Sequence, residues 1–389
     1  MPTRRGWGVL GLAVGLLLLW LLLGEGEFLS VGALLATSMA LAFVWVRIAD
    51  PSVPISRDVQ PERVREGDDV VITLELTNPS PVPLLGIDLV DTIRGIGSST
   101  SHLARVPAHK RVRVPYRVTT RARGVYRVGP VRVAVTDPLG LMTRSAVGGP
   151  VDTLIVYPRT EVLEGYPVVR GRDPSIQASR PEFSARGGED FFTIREYRHG
   201  DDLRRVHWPT TARRDELMIR QFETPWQSRG LLVLDTRSQV HDPEGFESAV
   251  RGAASAYLHL ERAGFELDAL IGSDHIRSQD PDPTNRVLEA LAAVQPSSGL
   301  DLRAVVARLR RRFIGGALVV VTGEVDEQLG QAVSTLGPDF GNVLLLSASA
   351  MPIGLLPSIR TPLAAGTCLP GETWAETWQR LKGRSWASA

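Results

Sequence analysis

Asp201, Asp202 and His207 stand close together in the sequence and carry the side chains of a general base and a general acid. Around them Arg204, Arg205, Arg213 and Arg214 supply guanidinium forks that grip carboxylates or phosphates, and Trp208 adds a large aromatic face. Three chemistries compete for these residues. A hydrolytic or metal site would use Asp201, Asp202 and His207, but the sequence has no HExxH, no GxSxG elbow and no second close histidine to complete a ligand set. A phosphate or RNA site would use the arginines and Trp208, yet the interleaved acids oppose an anion. The third is a carboxylate–guanidinium clasp between domains, with Trp208 anchored in a core. Its exposed side would recognise another protein, because Trp, Tyr and Arg dominate interface hot spots.

The third reading is preferred, with Gly200, Asp201, Asp202, Arg204, His207, Trp208 and Arg213 as the protein-binding set. The alternatives are a hydrolase using Asp202 and His207, or a purely structural membrane protein. Locally, Gly200 suits a sharp turn, Asp201 or Asp202 can cap a short helix over residues 203–208, and Leu217, Ile219 and Phe222 read as an extended segment.

Composition narrows the field. With 44 Lys+Arg against 43 Asp+Glu the charge is near balance, so nothing demands nucleic acid. Cys368 is the single cysteine, which excludes a disulfide scaffold and a Cys-based zinc site. The only lysines, Lys110 and Lys382, follow no Gly-rich loop, so the chain has no P-loop. No cofactor is called for.

The elements that must carry these residues follow from periodicity. Residues 7–23 and 28–46 are free of charge and each is about long enough to cross roughly 30 Å of hydrocarbon, which predicts a transmembrane hairpin over residues 1–48. Arg4, Arg5 and Arg47 lie outside the spans and the connector carries only acids, which predicts a multi-pass protein of the inner, cytoplasmic membrane with both termini and the soluble domains cytoplasmic. Gly11 with Gly15, and Gly32 with Ala36 and Ala40, offer small residues for close helix packing or are apolar filler.

Alternation of Val70, Ile72, Leu74 and Leu76, then of Val112, Val114, Tyr116 and Val118, then of Val131, Val133 and Val135, predicts an antiparallel β-sandwich of immunoglobulin or fibronectin type over residues 49–158. Its outward arginines suit solvated strand faces or an anionic lipid patch. The motif segment spans 159–228. From residue 229 to 350 strands alternate with helices: strands end at Asp235 and Thr322, a helix starts at Asp242-Pro243, and others run over 283–294, over 301–313 and after Val325. This predicts a doubly wound α/β domain with a tail at 351–389, where Trp374, Trp378 and Leu381 share a helical face.

Ligands of such sheets gather at the carboxyl ends of strands. The arrangement resembles the von Willebrand factor A fold, whose metal-dependent site uses an Asp-x-Ser-x-Ser loop and a later aspartate. Here Asp235 fits, but Arg237 and Gln239 replace the serines and Gly323 stands where the later aspartate is sought. No metal site is therefore expected.

The run Gly200-Asp201-Asp202-x-Arg204-x-x-His207-Trp208, followed by Ala212-Arg213, Leu217, Glu223 and the strand ending at Asp235, resembles the bacterial family called domain of unknown function 58. Arg123-Gly124-Val125-Tyr126, Asp137-Pro138-Leu139-Gly140 and the order of parts extend the resemblance to nearly the whole chain. It implies association with a MoxR-type AAA+ ATPase, in gene clusters that also hold transglutaminase-like membrane proteins. No established catalytic activity comes with it. The expectation is a membrane-anchored cytoplasmic adaptor or scaffold, not an enzyme, that serves maturation or assembly of envelope complexes.

Overall fold

A computed structural model describes residues 1–165, 191–196, 206–214, 216–222, 229–298, 316–353 and 363–383. It divides into two compact units, Met1–Arg159 and Thr160–Ala389.

In the first unit, Thr3 caps helix α1 (Arg4–Leu23) by accepting the Gly6 N–H, and Gly24 ends it in a left-handed conformation that glycine adopts without strain. Helix α2 (Gly26–Ile48) returns antiparallel to it. Both are long and apolar enough to cross a bilayer. The small-residue seam differs from the expected one. A Cβ at Gly32 would lie 3.1 Å from Leu17, next to the Ala13 carbonyl, whereas Gly11 and Gly15 face open space and Ala36 and Ala40 are exposed. Ala13 is the residue that turns inward, because a 3.6-residue period lets only one stripe of each helix face its partner.

The strands β1 (Ile55–Gln60), β3 (Asp69–Thr77) and β6 (Arg111–Thr119) form one sheet. The other runs β2 (Arg63–Arg65), β9 (Asp152–Tyr157), β7 (Gly124–Thr136), β4 (Leu84–Ile93), β5 (Gly97–Val106), with β8 (Thr143–Gly148) also on β7. All pairs are antiparallel except β2 with β9. Val70, Ile72, Leu74 and Leu76 are buried, as alternation predicts, and Leu74 and Leu76 share a cluster with Val131, Val133 and Val135 of the second sheet. Burial of each such side chain stabilises by about 1.5–3 kcal/mol. One buried ion network ties the sheets together. Arg57 on β1 donates to Asp91 on β4 and Asp152 on β9, and the Tyr116 hydroxyl on β6 donates to Asp91 at 2.6 Å. Burial, then the bond to this carboxylate, pushes the Tyr116 phenol well above its ordinary range.

The hairpin and the β domain are one body, so residue 48 marks no break. The Asp137–Gly140 turn closes on its own aspartate, which accepts the Leu139 and Met142 N–H groups. The Thr3 N–H in turn donates to the Leu141 carbonyl, and its hydroxyl donates to that of Gly140. Leu141 and Met142 pack on Ala42 and Val46 of α2.

The second unit is built on a six-stranded sheet ordered β14 (Asp274–Ile276), β13 (Glu266–Ile271), β12 (Arg229–Leu234), β15 (Ala317–Thr322), β16 (Asn342–Ala348), β17 (Ala364–Cys368). All neighbours are parallel except the β13–β14 pair. The central strands read as unbroken apolar runs because both faces are covered. A separate two-stranded ribbon pairs β10 (Phe191–Glu196) with β11 (Met218–Phe222), and helix α3 (Trp208–Arg214) lies between them in sequence. Helices α4 (Pro243–Arg262), α5 (Pro283–Ala293), α6 (Glu327–Leu336) and α7 (Trp374–Gly383) complete the described α-helices, and short 3₁₀ turns follow β12 and α6 at Ser238–Val240 and Gly337–Asp339. Asp242 caps α4 ahead of its first-turn proline, as expected.

Two boundaries move. The sheet does not end at residue 350, because β17 and α7 belong to it and Trp374, Trp378 and Leu381 are buried. The chain also enters this unit earlier than residue 229: Leu163 is buried, and the Glu161 N–H donates to Ser255 on α4. The helix expected over 301–313 lies outside the described residues.

Candidate functional site

Of the seven motif residues, His207, Trp208 and Arg213 are described, and Gly200, Asp201, Asp202 and Arg204 lie outside the described residues. Of the helix expected over 203–208, residues 203–205 lie outside the described residues; Val206 and His207 are not helical, and helix α3 begins at Trp208. The two sides of the motif are joined through the backbone. The His207 N–H donates to the Met218 carbonyl at 2.7 Å, and the Met218 N–H donates to the Thr211 hydroxyl at 3.0 Å. Val206 and Met218 are buried beneath this link. Nδ1 of His207 lies 2.7 Å from the Thr210 hydroxyl, which ties the ring to the first turn of α3. Trp208 is not a core anchor: it is 68% exposed, and Arg213 is exposed on the same short helix. Trp and Arg are the side-chain types enriched at protein-binding hot spots.

The second place to look is where strand order reverses. From β12 the chain moves to β13 on one side, and later through β15 to β16 on the other, so the crevice opens between the carboxyl ends of β12 and β15. Asp235 leaves β12 there with no exposed side-chain surface. The Arg237 guanidinium grips it, with Nη2 to Oδ2 at 2.8 Å and Nε to Oδ1 at 3.1 Å. The same guanidinium donates to both carboxylate oxygens of Asp326 and to Gln328 Oε1. Thr322 completes the ring by donating to Asp235.

Asp326 is the residue that the sequence pattern missed. The later carboxylate stands three positions after Gly323, at the cap of α6, where it also accepts the Leu329 N–H. Burial works against its charge, but the Arg237 and Leu329 hydrogen bonds prevail and hold the Asp326 carboxyl below its ordinary range. Burial also opposes the charge on Arg237, and the two carboxylates overcome it, raising the guanidinium above its already high value. A divalent cation does not fit this donor set, because a side-chain cation from the same chain already lies between the two carboxylates.

His241 closes the crevice. Its Nε2–H donates to the Asp235 carbonyl, and its ring meets Phe246 edge-on at 5.1 Å. Burial lowers its basicity below the ordinary histidine value, partly opposed by that hydrogen bond. A Cβ at Gly323 would overlap the Val240 carbonyl, so only glycine lets the β15 loop approach this closely. Beside the network a 450 Å³ cleft opens over Thr236, Ile271 and Gly272, but none of the described motif residues lines it.

Residues 193–339 match the family described as "Protein of unknown function DUF58". The chain is 28% identical over 211 residues to "Uncharacterized protein YeaD" of Bacillus subtilis (strain 168); the match covers 52% of each, so the chain spans about half the length of this curated relative. Among solved structures, the CARDB domain of PF1109 from Pyrococcus furiosus matches 28% of this chain and 94% of its own at 12% identity and a TM-score of 0.22. Red sea bream transglutaminase matches 28% of this chain and 15% of its own at 19% identity and a TM-score of 0.21.

Proposed function

Taking residues 193–339 as a member of the DUF58 family, we propose that the protein is a membrane-anchored adaptor that docks a MoxR-type AAA+ ATPase during assembly or maturation of envelope complexes. The exposure of Trp208 carries this reading. Trp is among the residues most enriched at interface hot spots, where a partner covers its large amphipathic face. The filled crevice at Asp235 supports a binding role over catalysis, since its carboxylates are committed to Arg237. The second unit is read as a von Willebrand factor A-type domain without metal chemistry, and the β domain as an immunoglobulin-like spacer. Both termini are assigned to the cytoplasm on the arginines flanking the spans. A transglutaminase-like membrane protein is a further partner implied by the family.

The test is binding of the detergent-solubilised chain to the MoxR-type ATPase of the same genome. Trp208→Ala is expected to weaken binding by roughly 30-fold, the scale of a hot-spot truncation. Equal affinity of wild type and Trp208→Ala overturns the docking surface, and absence of binding by the wild type overturns the partner.

A further inference from the structure

We infer that the Asp137–Gly140 turn of the β domain is a membrane-contacting tip that seats Leu139 in the phospholipid headgroup layer. The inference rests on the reading of α1 and α2 as spans, and assigns a surface that the docking motif does not use. Leu139 is 60% exposed in a turn braced by the Asp137 side chain, which accepts the Leu139 and Met142 N–H groups. The turn's height is set by Thr3, which donates to the carbonyls of Gly140 and Leu141 at 2.6 and 2.9 Å and immediately precedes the first residue of α1.

That geometry fixes depth. An α-helix rises 1.5 Å per residue, so Trp7 lies about 6 Å farther into the span than Thr3. The headgroup layer on each side of a bilayer is about 5–7 Å thick. Trp7 is exposed, and Arg47 at the other helix end holds its guanidinium over the Phe43 ring, 5.1 Å from the centroid. Both mark the interface, where Trp and Arg anchor. A turn bonded to Thr3 therefore lies within the headgroup layer. The exposed charges around it suit anionic lipid: Arg4, Arg5, Arg47 and Arg144, against Asp50, which lies 3.6 Å from Arg144, while the acid of the turn itself, Asp137, is buried on backbone N–H groups. Lysine and arginine near such a surface attract it, and the exposed leucine adds apolar burial.

The experiment uses the full chain carrying Cys368→Ser, reconstituted in nanodiscs of phosphatidylcholine and phosphatidylglycerol. An environment-sensitive fluorophore is attached in turn through Leu139→Cys, Val14→Cys in the middle of α1, and Ala122→Cys in the turn between β6 and β7, at the end of β7 opposite Asp137. Headgroup-labelled nitroxide lipid is expected to quench the label at 139 at least about threefold more than that at 122, while acyl-chain nitroxide quenches the label at 14. Quenching at 14 with equal quenching at 139 and 122 overturns the inference and leaves the membrane anchor standing. Absence of acyl-chain quenching at 14 overturns the anchor itself, and the inference with it.

Discussion

The Arg237 guanidinium meets the Asp326 carboxylate end-on, Nη1 to Oδ2 at 2.7 Å and Nη2 to Oδ1 at 2.9 Å, across 89 residues of sequence. Asp235 holds the adjacent Nε–Nη2 edge of the same guanidinium, so one side chain locks the end of β12 to the start of α6.

Arg237→Ala should leave Asp235 buried without its cation and lower stability by about 3–5 kcal/mol, the usual result of removing one partner of a buried pair. Arg237→Met combined with Asp235→Asn should recover part of that loss, because the stranded charge is gone. Urea unfolding of the solubilised chain checks both. A loss below 1 kcal/mol, about the size of an exposed pair, would show that the network is not buried in solution.

The same geometry makes the crevice indifferent to divalent cations. The thermal midpoint of the wild type should be equal in EDTA and in millimolar MgCl₂. Arg237→Ser clears the guanidinium and leaves oxygen donors from Asp235, Thr322 and Asp326 around the opening, so its midpoint should rise with Mg²⁺. A magnesium-dependent rise in the wild type would contradict the guanidinium-filled crevice.

His241 predicts a pH dependence. Burial lowers its folded-state value below the ordinary 6.5, so the unfolded chain binds a proton that the folded chain refuses. Its stabilising contribution is complete above 6.5 and declines as pH falls through 6.5 towards the lowered folded value. In His241→Gln the urea midpoint should fall less steeply over that window. Identical slopes would place His241 in water.

Trp378 is buried at 1% exposure and its indole N–H donates to the Gly165 carbonyl at 2.9 Å. Trp378→Ala should cost about 3–5 kcal/mol, as large core truncations do. Faster hydrogen exchange in β16 and β17 is the expected signature. Unchanged exchange there would mean that α7 does not support the sheet edge.

Local signals in the sequence located most of the elements. Val70, Ile72, Leu74 and Leu76 alternate because one face is buried, and Leu231 to Leu234 run unbroken because both are. What stayed hidden depends on chain reversals in space. Nothing near Arg237 announces Asp326, because strand order alone brings β12 beside β15. The seam through Ala13 and Gly32 is set by helix rotation, which Gly11 and Gly15 suggested wrongly. Residues 364–368 read Ala-Ala-Gly-Thr-Cys, too weakly apolar to mark a strand, yet they close the sheet. In the motif, the pattern identified an extended segment near Met218, but not that Trp208 opens a helix with its ring exposed.

The bond from Trp378 to Gly165 also sets a schedule. Its partners are 213 residues apart, and at a synthesis rate of about 5–20 residues per second the second unit waits roughly 10–40 s between the emergence of its first segment and of its last helix. The hairpin and β domain, complete by Arg159, are finished well before then. The hairpin end of the nascent protein is thus folded while its α/β sheet still lacks an edge, and a sheet with an open margin is the form most exposed to edge-to-edge association.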